Sequence, residues 1–197
     1  SGTRDPGFGI RTNPRPIPDS DPNPQYSDWS ARTLVLAFRR LGRVAPSGPG
    51  SYTWTPVMPY QFFPHTADVG VRVWADDLAS LLSAAAEALT EVLVEPGAIR
   101  PASRVAVRCS APAADLLLHA FLSELLFLFD ARQRLVAHAA VTCRREGDLI
   151  VAEATAVGEE LDPARHRIKL LIKAVTYHEL AVTEHDGSWD ATVVFDV

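Results

Sequence analysis

The chain has 197 residues, 47% of them hydrophobic, and a mean hydropathy near zero, which places it among ordinary globular proteins with one domain as the default. Its formal net charge of −5 excludes the global positive field that neutralises nucleic-acid phosphates, so strong direct binding of RNA or DNA is disfavoured. Two cysteines, Cys109 and Cys143, without CxxC spacing suggest neither a zinc ribbon nor a disulfide scaffold. No apolar run approaches the ~18–20 residues that span a bilayer, and no basic-then-apolar leader is visible, so a soluble cytoplasmic protein is the expectation.

In chain order, residues 1–57 come first and read as a mostly irregular extension. Prolines recur from Pro6 to Pro24 and again at Pro46, Pro49 and Pro56, a density that cannot build regular ladders. The exception is "ARTLVLAFRRLG", where Leu34, Leu36, Phe38 and Leu41 could support a short helix or strand. Met58 is the one methionine, directly ahead of "PYQFFPHTADVG", and suggests an original start with an upstream addition before it. A flexible arm is the rival, and Asp5, Asp19, Asp21 and Asp28 argue against a mitochondrial transit peptide.

From residue 58 onward the pattern is regular. Pro64 to Asp68 reads as a turn in which Thr66 caps backbone groups. Val69, Val71, Val73 and Ala75 alternate with Gly70, Arg72 and Trp74, predicting a half-buried strand. Asp76 or Asp77 then caps a helix with Leu78, Leu81, Leu82, Ala85, Leu89, Val92 and Leu93 at helical spacing, stopped by "EPG" at 95–97. "RVAVRCS" at 104–110 is a second strand, and Pro112 and Asp115 open a second helix that is apolar on nearly every side and therefore expected between layers. The remainder predicts strands over 134–144, 148–157, 167–178, 180–185 and 189–196, with "REGD" and "HDGS" as hairpin turns. Few strands alternate with helices after residue 130, which favours an α+β domain with a largely antiparallel sheet.

Strand parity isolates the candidate chemistry. If Val69, Val71 and Val73 face the core, Asp68 faces away; if Trp189, Ala191, Val193 and Phe195 face the core, Asp196 likewise faces away. The carboxylates of Asp196 and of the terminal Val197 add a second anionic group, and such a cluster calls for a cation, with oxygen ligation suiting Ca2+ or Mg2+ over zinc. Solvated strand-end charges are the bland alternative. His65 could join this site or orient it, His178 with Glu179 lacks a nucleophile in any recognisable motif, and Lys173 must snorkel or pair with the aspartates. "RHRIK" at 165–169 is a basic cluster for an acidic partner or phosphate, or a solvated edge; "GEELD" at 158–162 reads as an acidic loop from which Glu159 could add a ligand.

Four stretches together resemble the archease family: "FPHTADVGVRVWADDLASLLSAAAEALTEVL", "LHAFLSELLFLFD", "GEELDPARHRIKLLIKAVTYHEL" and "WDATVVFDV". The resemblance covers residues 58–197 and excludes 1–57. It implies a small α+β cofactor protein without turnover of its own, which assists RtcB-type RNA ligases in tRNA splicing by promoting GTP-dependent guanylylation of the ligase. It also implies a metal site at Asp68, Asp196 and Val197, with calcium the expected ion and magnesium or manganese the alternatives, and a functional lysine at Lys173. His65, Glu159 and His178 are expected to support that site. A metal-dependent hydrolase or nuclease, and a general chaperone or modulator of RNA-modifying enzymes, are the rival functions.

Overall fold

The computed structural model describes residues 58–65, 68–95 and 99–197. The expectations for the 1–57 extension, the 31–42 segment, the Thr66 cap and the Pro96–Gly97 stop lie outside those residues. The domain contains β1 (Tyr60–His65), β2 (Asp68–Ala75), α1 (Leu78–Leu93), β3 (Ser103–Ala111), α2 (Ala114–Arg132), β4 (Arg134–Glu146), β5 (Leu149–Glu160), β6 (Ala174–Val175), β7 (Ala181–His185) and β8 (Ser188–Asp196). One sheet runs β1-β2-β8-β6 with β7 also paired to β8; the other runs β3-β5-β4. Every pairing is antiparallel, and both helices touch strands of both sheets. The α+β expectation holds.

Parity explains the larger sheet. In β2, Val71 and Val73 are fully buried while Arg72 and Trp74 are exposed, and in β8, Ala191, Val193 and Phe195 are buried against the same core. The register pairs Val69 with Phe195, Val71 with Val193 and Val73 with Ala191, so the apolar sides coincide. Gly70 is required on the opposite face because the Phe63 ring crosses it: a Cβ there would lie 2.2 Å from that ring.

Asp77, not Asp76, caps α1, its Oδ1 accepting from the Ser80 amide at 2.7 Å. All seven positions of the helical spacing are buried. Ala84, Ala85, Ala86 and Ala88 add little bulk, which lets α1 approach β4 closely. There Ser83 Oγ donates to Ala139 O at 2.7 Å, and the buried Thr90 hydroxyl contacts Ala86 O and Val136 O at 3.0 and 2.6 Å.

In α2, Leu117, Leu118, Phe121, Leu122, Leu125, Leu126, Leu128 and Phe129 are buried, each worth about 1.5–3 kcal/mol of transfer free energy. The expected position between layers is therefore found, although Leu116 and Phe127 reach solvent. Gln133 ends the helix in a left-handed conformation (φ 50°) and donates from its side chain to Phe129 O.

Three expectations need correction. β1 was hidden in "YQFFPH": it pairs with β2 from Tyr60↔Val73 to His65↔Asp68, so Pro64 and His65 belong to a strand and not to a turn. Pro64 is tolerated because β1 is an edge. The predicted strand over 167–178 shrinks to β6 and an isolated bridge between Ile168 and Val94. Its backbone bonds are shared between α1 and β8, Lys169 N donating to Leu93 O and Lys173 N to Asp196 O, so no continuous ladder forms. Finally, "GEE" at 158–160 is the end of β5, not a loop. The "HDGS" hairpin is as expected, with Asp186 and Gly187 both at positive φ, as a two-residue I′ turn requires.

Candidate functional site

At one end of the larger sheet the register aligns His65, Asp68, Asp196 and Ala174 on four neighbouring strands. Asp68 and Asp196 are directly opposite and share the face turned away from the core. Like charges so placed are destabilising unless a cation answers them. Lys173 supplies one: its Nζ donates to Val197 O at 2.7 Å and lies 3.6 Å from Asp196 Oδ1, while its backbone amide donates to Asp196 O at 2.8 Å. On the other flank His65 Nδ1 lies 3.5 Å from Asp68 Oδ2. The donors offered by Asp68, Asp196 and Val197 are all oxygen, a set that fits a hard cation such as Ca2+ or Mg2+. Lys173 is 68% exposed at its side chain and Asp196 46%, so this tip is open to a partner.

The short β6 and the turn after it complete the tip. Thr176 donates to Val194 O through both its amide and its hydroxyl at 3.0 Å, and Leu180 N reaches Tyr177 O at 3.3 Å. Tyr177 stacks on His119 of α2, centroids 3.9 Å apart and planes 8° from parallel. His119 Nε2 sits 3.0 Å from Val175 O; a carbonyl can only accept, so Nε2 carries the proton. Burial lowers the pKa of His119, which keeps the ring neutral. These contacts carry His178 to His65, their rings 5.0 Å apart and edge-on. Sequence reasoning missed this meeting of two histidines, because nothing in local periodicity reports that β2 and β8 lie between β1 and β6 in the sheet.

Glu159 does not join the tip. It is buried at the end of β5, where Oε1 accepts from Arg100 N at 2.6 Å and from His166 Nε2 at 3.1 Å, and Arg165 pairs with Oε2. The Arg100 amide, then Arg165 and His166, hold its carboxyl down at about 2 against desolvation. His166 Nδ1 accepts from Asp162 N at 2.9 Å, so its other nitrogen is the donor to Glu159. The "RHRIK" cluster is therefore split. Arg165 pairs with Glu159 and Asp162 at the surface and His166 is buried against Glu159, while Arg167 and Lys169 stay exposed.

A model described as the Archease protein family (MTH1598/TM1083) matches residues 60–197. The chain belongs to this family. Among archeases, that of Methanopyrus kandleri is 34% identical over 140 residues, 71% of this chain and all of its own, and that of Pyrococcus furiosus is 31% identical over 139 residues, 70% of this chain and 98% of its own. The solution structure of protein 1598 of Methanobacterium thermoautotrophicum superposes with a TM-score of 0.63 at 29% identity, covering 72% of this chain and 100% of that one. The resemblance drawn from the four sequence stretches and the α+β architecture both stand. No helix among the described residues of this archease is long and apolar enough to cross a membrane.

Proposed function

We propose that this archease is a metal-binding protein cofactor that activates an RtcB-type RNA ligase in tRNA splicing or RNA repair, promoting GTP-dependent guanylylation of the ligase and so multiple turnover. The observation that carries the reading is the opposition of Asp68 and Asp196 on the open face of the sheet, with Lys173 anchored across Asp196 and Val197. Asp68, Asp196 and Val197 would hold a divalent ion, Ca2+ foremost with Mg2+ or Mn2+ as alternatives. Such an ion supplies positive charge for phosphate oxygens.

Lys173 brings a compact point charge on a mobile stem to the same place, suited to a phosphate or to a carboxylate of the ligase. GTP is consumed by the ligase. The net charge of −5 accords with an activator that grips protein and leaves RNA to its partner.

Guanylylation of a cognate ligase, followed with labelled GTP in the presence and absence of the protein, tests the proposal; unchanged rates sink it. The cluster of His65 and His178 favours, as a second reading, a metal-dependent phosphoesterase. Hydrolysis of phosphodiesters by the isolated protein with Mg2+ or Mn2+ would select that reading instead.

A further inference from the structure

Beside the aspartates, His65, His178 and Glu179 form a group whose ligand atoms all lie within 4.8 Å of one another. His65 closes β1, and His178 and Glu179 stand in the turn after β6, so the group is assembled across four strands and not along one segment. We infer that this group is a second metal site, nitrogen-based and selective for a zinc-class divalent ion, distinct from the all-oxygen aspartate set.

Three observations support it. The donor chemistry is two imidazoles and one carboxylate, the set that borderline d-block ions take with three protein ligands and an open position, and that calcium does not favour. His65 Nδ1 is buried without a hydrogen-bond partner among the described residues, although Asp68 Oδ2 stands 3.5 Å away. A small approach of Asp68 would fix that nitrogen as the donor and aim Nε2 at an ion, the carboxylate–histidine–metal relay of many zinc sites.

Glu179 adopts a left-handed backbone (φ 52°), uncommon for a residue with a Cβ, and this turns its carboxylate beside His178, Nε2 to Oε1 being 3.8 Å. Tetrahedral binding at 2.0–2.1 Å brings neighbouring donors to roughly 3.4 Å of each other. The separations, at most 4.8 Å, must therefore close by up to about 1.4 Å. The side chains of His178 and Glu179, 62% and 53% exposed, have the rotamer freedom to do so, and the His119–Tyr177 stack fixes the turn that carries them.

The inference does not depend on ligase activation; Asp68 borders both sites, and Asp196, which belongs to the oxygen set alone, tells them apart. Zn2+ binding to the full chain is measured by calorimetry, and Co2+ as a spectroscopic stand-in by its visible absorption. The expected result is one Zn2+ per chain and a Co2+ spectrum of tetrahedral strength. H178Q and E179Q should each weaken Zn2+ by on the order of 100-fold or more, beyond the roughly 10–100-fold typical of an outer partner. D196N should leave Zn2+ binding within a few-fold of wild type while removing Ca2+ binding. Because His178 and Glu179 are exposed, their variants should keep the wild-type melting curve. Zn2+ lost in D196N but retained in H178Q would overturn the inference, as would a chain that binds no Zn2+ at all.

Discussion

Two groups of carboxylates that look alike in the sequence have opposite situations in the fold. Glu159 is buried and fully engaged by a backbone amide, a guanidinium and an imidazole. Asp68 and Asp196 face each other on the open side of the sheet, with His65 Nδ1 3.5 Å from Asp68 and Lys173 Nζ 3.6 Å from Asp196. A carboxylate that exhausts its lone pairs on the protein is an anchor; one held next to a like charge with capacity unspent is available for an ion or partner.

Predictions can break that contrast from either side. The largest effect is expected at the anchor's strand. Gly158 lies where an added Cβ would sit 1.8 Å from Leu135 O, beside the β-bulge of β4 between Val136 and His138, and backbone cannot give way as a side chain can. Gly158→Ala should cost about 3 kcal/mol or more in urea unfolding, and a wild-type midpoint would contradict the tight packing of β4 on β5.

Next comes the anchor itself. Glu159 has a carboxyl pKa lowered from the ordinary 4.5 to about 2, so its stabilising contribution is full above about 4.5 and is lost as pH falls toward 2. Glu159→Gln should therefore lower the melting temperature at pH 7 and make the melting temperature less dependent on pH across that acid window. Parallel pH curves for the two proteins would show that Glu159 is not an anchor.

At the tip the expected pattern reverses. Asp68→Ala or Asp196→Ala should abolish stimulation of ligase guanylylation while stability stays within about 0.5 kcal/mol, since neither side chain packs in the core. Loss of stimulation accompanied by unfolding would make the aspartates structural. The smallest effect is electrostatic: Asp68→Asn removes one of two facing like charges and should raise stability by about 0.2–1 kcal/mol at low salt, fading as salt screens the pair. A melting temperature that falls instead would mean that Asp68 is engaged more tightly than its 3.5 Å contact with His65 indicates.

Much of this was legible in the sequence because the relevant signals are short-range. Period-two alternation located β2 and β8, helical spacing and an aspartate cap located α1, and parity alone turned Asp68 and Asp196 away from the core. The segment after residue 160 was less legible. The alternating "IKLLIKAV" has strand character, yet its backbone partners are the end of α1 and the outer side of β8, elements far away in the chain. β1 was missed for a related reason: a proline and a polar pair at its end imitate a turn, and only pairing with β2 makes it a strand.

The sequence by itself determined the α+β class, the buried faces of the helices, the turned-out aspartates and the family of the domain, since each depends on residue type and local period. Tertiary structure alone decided that Asp68 stands opposite Asp196, that Lys173 reaches Val197, that Glu159 is consumed by Arg100, Arg165 and His166, and that His65 meets His178. Those are contacts between residues 6 to 128 positions apart along the chain. They are fixed by strand order and register, which no window of sequence contains.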